Sequence, residues 1–181
     1  MIRDPYKLPA FSLPNRLRRL AWYCCYILLF RFSPKPFHFW RRFLLRVFGA
    51  KIGMGAAINQ TVKVWAPWNL VIEDMVALGE KVEIYNPSLI TMKSHAIVSQ
   101  GAYLCGASHD YNDPRFYLFS KEIILEPYSW VCARAMVLPG VTVGEGAVLA
   151  LGSVASKDIP PWSVYAGNPA GFVKARQRHE L

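Results

Sequence analysis

The chain has 181 residues, 53% hydrophobic and 18% charged, enough for one domain with a real core and too apolar for a disordered chain. Its longest unbroken apolar run, Leu20 to Phe30, is eleven residues closed by Arg31, whereas a membrane-spanning helix needs about 20. The net charge of +9 is lopsided: residues 1–72 carry twelve Lys/Arg and one acid, Asp4, while 73–181 carry nine bases and eleven acids.

Arg31 and Lys35, not a small-residue cleavage site, follow the apolar run, so the start does not read as an export signal. Cys24, Cys25, Cys105 and Cys132 form neither a CxxC pair nor an obvious disulfide framework, which points to a reduced cytoplasm.

Residues 1–50 read as a basic amphipathic arm. A first helix is expected over 15–30, opening with Arg16, Arg18 and Arg19 and ending before Ser33-Pro34-Lys35-Pro36. A second places Phe37, Trp40, Phe43, Leu44, Val47 and Phe48 at helical spacing, with Arg41, Arg42 and Arg46 on other faces and Gly49 as its stop. Aromatic and cationic residues on such helices suit an anionic membrane surface. A pair of helices packed on the body, its arginines solvated, explains the pattern equally well. Nucleic acid is disfavoured, because Leu- and Phe-rich faces would be wasted on phosphates.

Residues 51–166 are a repeat. Ile52, Ile58, Val64, Ile72, Leu78, Ile84, Met92, Val98 and Leu104 are followed, after a gap, by Leu125, Val131, Val137, Val143, Leu149 and Ala155. Within each run the aliphatic residue returns at the sixth position, except for two spacings of eight at Val64–Ile72 and Ile84–Met92. In a strand every sixth residue returns to the same face; in a helix six steps scatter around the axis. The pattern predicts short parallel strands stacked into a solenoid, three hexapeptides per coil and about five coils, with Pro67 and Pro87 in the lengthened corners.

The gap between Leu104 and Leu125 inserts a loop, 110–124, immediately after His109. A loop this long on a repetitive scaffold is usually functional or disordered, and its aromatics Tyr111, Phe116, Tyr117 and Phe119 argue for packing against something. Residues 167–181 are expected to form a short helical tail.

Several segments together carry a resemblance over nearly the whole chain. They are Pro36-Phe37-His38 with Trp40 to Arg46, Trp65-Ala66-Pro67-Trp68-Asn69-Leu70, Ser108-His109-Asp110-Tyr111, Asp113-Pro114, Lys157 to Trp162, and Ala166-Gly167-Asn168-Pro169-Ala170. The chain resembles the hexapeptide-repeat acyltransferases, in the branch of colanic-acid and exopolysaccharide acetyltransferases. The resemblance implies a mainly β fold, a left-handed parallel β-helix; the handedness comes from it alone, since the general crossover rule favours the right hand. It departs at Gly171, where Lys or Arg is usual, and at Gly106-Ala107, where Thr-Gly is.

The family's activity implies O-acetyl transfer from acetyl-CoA to a sugar hydroxyl, with the histidine matching His109 as general base and no acyl-enzyme. Imidazole suits that task because its ordinary pKa lies near cytosolic pH. Asp110 and Asp113 either orient the imidazole or acceptor or serve as plain turn residues. Asn86 is either an acceptor contact or a turn asparagine. Trp130, Cys132 and Ala133 match the segment bordering pantetheine in similar enzymes, the alternative being ordinary subunit packing. Ser153, Lys157, Lys174 and Arg176 either meet CoA phosphates or form a solvated basic surface.

The resemblance further implies a homotrimer with active sites between subunits, and a glycan acceptor that the arm would suit if it were lipid-linked. His38, His95 and His179 are unpersuasive as ligands, and two body histidines fall short of a zinc site, so no metal is expected. Cys105 and Cys132 read as small solenoid residues. Two other classes stay open: acetylation of a small soluble acceptor (a free sugar, a nucleotide-linked amino sugar or serine), and a non-catalytic β-helix scaffold.

Overall fold

The computed structural model describes residues 11–178. Asp4 and His179 lie outside the described residues.

Helix α1 (Leu13–Cys25) begins with Pro14 in its first turn, where a missing N–H costs nothing, and runs into one wider turn over Tyr26–Phe30. Arg31 N–H reaches back five residues to the Tyr26 carbonyl. That widening lets Trp22, Tyr26 and Phe30, four apart, share one buried face. After the proline break, α2 (His38–Val47) buries Arg41, Leu44 and Leu45.

The first coil holds β1 (Lys51–Ile52), β2 (Ala57–Ile58) and β3 (Lys63–Val64). The second has β4 (Leu70–Ile72), β5 (Ala77–Leu78) and β6 (Glu83–Tyr85); the third has β7 (Ile90–Met92), β8 (Ile97–Val98) and β9 (Tyr103–Cys105). A hairpin of β10 (Ala107–His109) and β11 (Leu118–Ser120) then leaves the solenoid. The fourth coil is β12 (Ile123–Leu125), β13 (Trp130–Val131) and β14 (Met136–Val137), and the fifth β15 (Thr142–Val143), β16 (Val148–Leu149) and β17 (Val154–Ala155). Equivalent strands stack in parallel into three sheets, with Ile52, Ile72 and Met92 in register. All fifteen anchor residues of the six-residue pattern are buried. A sixth, partial coil follows, with Ile159 bridging Val143 and β18 (Ser163–Gly167) pairing with β16.

The C-terminal segment is not helical. From β18 the chain reverses into β19 (Ala170–Ala175), antiparallel to it. Phe172 and Val173 favour strand, and β18 offers an unpaired rim that a helix would leave bare.

Hydrogen bonds join the coils in both directions, Met75, His95 and Gly101 donating back to the Met54, Asp74 and Glu80 carbonyls of the preceding coil. Gly53, Ala57, Asn59, Lys63 and Trp65 donate their N–H groups to carbonyls of Ile72, Val76, Leu78, Val82 and Ile84 in the next coil. The Ile52, Ala56, Ile58 and Val64 carbonyls face the open end, where no coil precedes the first, and each such acceptor left buried and unpaired would cost about 1–3 kcal/mol. The helices supply the donors. Arg46 Nη2 reaches the Ile52 carbonyl at 2.6 Å, Arg42 Nη1 that of Ala56 at 2.8 Å, Arg41 Nε that of Ile58 at 2.5 Å, and Trp22 Nε1 that of Val64 at 2.7 Å. Arg41 is fully buried and also donates to Ser33 Oγ and to the Pro34 and Lys35 carbonyls.

Of the two readings of the arm, the helices are packed on the body, but its arginines do more than meet solvent: buried Arg41, half-buried Arg42 and exposed Arg46 each hold a backbone carbonyl. They close the end of the solenoid, and Trp22, Phe30 and Leu45 share one hydrophobic core with Ile52, Ile58 and Val64.

Replacing Arg41 by alanine strands three carbonyls and a hydroxyl and is expected to cost about 3 kcal/mol or more of stability. Arg41→Lys recovers little, because an ammonium lacks the planar fork. Urea unfolding of both variants checks this; an unchanged midpoint for Arg41→Ala would refute the capping role.

Candidate active site

The site is set up at the corner between the third strand of one coil and the first strand of the next. There a column of residues spaced by one coil, Ala66, Asn86 and Gly106, is buried. Asn86 accepts the Ala66 N–H and donates to the Ala66 and Asn69 carbonyls at 2.8 and 2.9 Å, while the Asn69 amide donates back to the Asn86 and Pro87 carbonyls. With no exposed surface and its amide engaged on backbone, Asn86 braces the corner and has nothing left for a sugar, which corrects its nomination as an acceptor contact.

One coil later, Gly106 N–H donates to the Tyr85 carbonyl at 2.7 Å, and a Cβ at position 106 would stand 2.9 Å from that same oxygen. The backbone thus turns outward where only glycine fits, and the β10–β11 hairpin begins at Ala107 rather than at Asp110. The other boundary moves too: Ile123 to Leu125 are already solenoid strand.

His109 ends the outgoing strand, exposed, paired with Leu118. Its Nδ1 lies 2.8 Å from the Phe116 carbonyl oxygen, and its ring stacks on the Phe116 ring with centroids 4.5 Å apart and planes at 9°. A carbonyl can only accept, so Nδ1 carries a proton, and in the neutral ring the lone pair is on Nε2. Phe116 has φ of +50°, a left-handed conformation that a bulky residue adopts only when its surroundings impose it. The surroundings are the turn: Asp113 accepts the Arg115 N–H at 2.8 Å and holds the Arg115 guanidinium through both carboxylate oxygens. Arg115 keeps the Asp113 carboxyl below the usual carboxylate range. Asp110 Oδ1 accepts the Asn112 N–H at 2.9 Å. Both aspartates therefore build the turn, and the group that orients the imidazole is the Phe116 carbonyl, which no side-chain motif announces.

The remaining nominated residues divide. Trp130 is on a different sheet from the hairpin's root, half-exposed, its indole N–H held by Ser99 Oγ at 2.8 Å. Cys132 and Ala133 follow it, and burial pushes the Cys132 thiol up, away from nucleophilic character. Ser153 is buried with its hydroxyl accepting the Gly167 N–H, so it holds β18 and is not free for phosphate. Arg176 donates to the Tyr128 and Gly146 carbonyls at 3.2 and 2.8 Å, tying the tail to the solenoid. Lys157 and Lys174 stand exposed. Among the described residues no three His, Cys, Asp or Glu lie close enough to hold a metal ion.

Sequence reasoning missed a groove of about 1020 Å³ between the helical segment and the third sheet, where Arg16, Tyr23 and Phe32 face Lys63, Tyr85 and Tyr103. Burial raises the pKa of both Tyr85 and Tyr103, leaving two neutral phenols in its wall. No residue of the His109 hairpin lines it.

No family model matches the chain. It is 35% identical over 179 residues to WcaF of Escherichia coli K12, whose assigned name is that of a colanic acid biosynthesis acetyltransferase, covering 96% of this chain and 98% of that protein. The fold superposes with a TM-score of 0.84 on a hexapeptide-repeat acetyltransferase of Vibrio cholerae, at 20% identity over 92% of this chain and 95% of that one. The Vibrio protein has also been solved with acetyl-CoA. A galactoside acetyltransferase bound to coenzyme A matches with a TM-score of 0.84 at 21% identity, over 94% and 86% of the two chains. With near-complete coverage of WcaF and this shared left-handed β-helix, the chain belongs to the hexapeptide-repeat, CoA-dependent acetyltransferases, in the branch that contains WcaF.

Proposed function

We propose that this enzyme moves an acetyl group from acetyl-CoA to a hydroxyl of a sugar in exopolysaccharide or cell-surface glycan assembly, with His109 as general base and no acyl-enzyme. The observation that carries the proposal is the fixed imidazole, Nδ1 2.8 Å from the Phe116 carbonyl on an exposed hairpin, which makes Nε2 the basic nitrogen of the neutral ring. Acetyl-CoA supplies a thioester, whose carbonyl is open to attack by oxygen. His109 Nε2 takes the proton of the acceptor hydroxyl as that oxygen attacks, and returns it to the departing thiolate, so the enzyme ends unchanged. The Phe116 carbonyl steadies the imidazolium between the two transfers, its partial negative charge facing Nδ1–H.

His109 and Trp130 belong to different sides of one solenoid, and the hairpin carries Tyr111 and Tyr117 at 83% and 51% exposure. This supports a homotrimer in which the hairpin of one subunit meets the Trp130 side of the next. We place the enzyme in the cytoplasm, peripheral on the inner face of the membrane, where a lipid-linked glycan acceptor is at hand.

In nitrogen-resolved NMR, neutral His109 is expected to show the Nδ1–H tautomer; the opposite tautomer would remove the base. His109→Ala is expected to lower kcat by roughly 10²–10⁴-fold while calorimetry still detects acetyl-CoA binding. Activity within a few-fold of wild type would sink the assignment. Mixing His109→Ala with Trp130→Ala subunits is expected to restore part of the activity, since one interface in a mixed trimer then carries both side chains. No recovery after subunit exchange would place the two residues in one subunit's site, or in none.

A further inference from the structure

The arginines that made the arm look membrane-active are mostly occupied. Arg41, Arg42 and Arg46 cap carbonyls, Arg18 stacks on Trp68 at 4.3 Å, and Arg19 on Trp65 at 4.4 Å. What the packing leaves outward is apolar. Leu13, Leu17, Leu20, Cys24 and Leu28 fall at helical spacing on the side of α1 and its wide turn opposite buried Trp22, Tyr26 and Phe30. Leu13, Leu17, Leu20 and Leu28 are 63%, 57%, 59% and 72% exposed. Arg16 and Arg31, both exposed, bracket this stripe, and Phe32 beyond it is 76% exposed. Helix α2 has a parallel feature in exposed Phe39, Phe43 and Val47, opposite buried Arg41, Leu44 and Leu45.

The structure assigns the leucine stripe of α1, with Arg16 and Arg31 at its borders, as the face that lies in the headgroup layer of an anionic bilayer. This rests on the peripheral association proposed above and names the surface that performs it. Charge decides the occupant: no carboxylate occurs between Pro5 and Ile72, and Glu83, which shares the groove beside Arg16 and Arg31, is paired with Lys63 at 2.6 Å. Two copies meeting stripe to stripe would bring Arg16 and Arg31 against their own kind with nothing to neutralise them, whereas anionic lipid supplies the counter-charge. No helix among the described residues is long and apolar enough to cross a membrane, so α1 lies along the surface with its leucines inserted.

The test is co-sedimentation of the full chain with vesicles of phosphatidylcholine alone or with one third phosphatidylglycerol. Wild type is expected to partition at least tenfold more strongly onto the anionic vesicles, and Leu17→Glu/Leu28→Glu to lose at least tenfold of that. Arg16→Glu/Arg31→Glu is expected to abolish the preference for anionic lipid. Acetyl-CoA titration and circular dichroism check that each variant is folded. Wild type that stays in the supernatant overturns the membrane association itself. Wild type that sediments together with an equally bound leucine variant leaves the association standing and overturns this face. A leucine variant whose oligomeric state in vesicle-free buffer differs from wild type makes the stripe a subunit contact, and also overturns it.

Discussion

A parallel β-helix has two open ends, because each inner coil exchanges hydrogen bonds with the coil before it and the coil after it, and each end coil lacks one of those neighbours. The first coil must then find donors elsewhere for Ile52, Ala56, Ile58 and Val64, and the last must find acceptors for its N–H groups. The N-terminal helices exist in this form because of that requirement. Arginine is the residue for it: one guanidinium on Arg41 satisfies a strand carbonyl, two turn carbonyls and a serine at once, from a fully buried position. At the far end an acid takes part instead: Asp158 Oδ1 accepts the Thr142 N–H at 2.7 Å. Three of the twelve cations of residues 1–72, Arg41, Arg42 and Arg46, are thus accounted for by the carbonyls of the first coil.

The same regularity makes the chemistry possible. Repeats supply rigid, equivalent corners, and one corner was altered by a glycine so that a hairpin leaves without disturbing the stack. Coils before and after the departure stay in register, Ile90 against Ile123 and Met92 against Leu125, across the whole insertion. The imidazole is therefore held on an antiparallel pair rooted in a packed column, with its tautomer set by main chain. A side chain positioned this way has little conformational freedom left to lose on binding.

How much of this was legible follows from what each feature depends on. The coil architecture was legible because burial in a strand repeats every second residue and the stack forces a common length, so Ile72, Leu78 and Ile84 had to be alike. The place of His109 at the edge of an inserted segment was legible from the gap that follows it. The roles of Arg41, Asn86 and Ser153 were not, since each bonds backbone groups whose positions exist only once the chain is folded. The departure at Gly106 was misplaced by a few residues for the same reason: the obstacle is the Tyr85 carbonyl of the preceding coil. The tail misled because a short segment with Gly171 and Lys174 carries no strong periodicity, and the rim of β18 decided its form.

Closed ends also determine what this solenoid does not do. Three parallel sheets with bare rims would accept the first coil of another molecule as their next coil, and repetition of that step would grow a fibre. The arginine caps fill one rim with donors that belong to the chain itself, and β19 with Asp158 covers much of the other. A protein built almost entirely of stackable strands is in this way kept at a finite length, free to associate only through its sides.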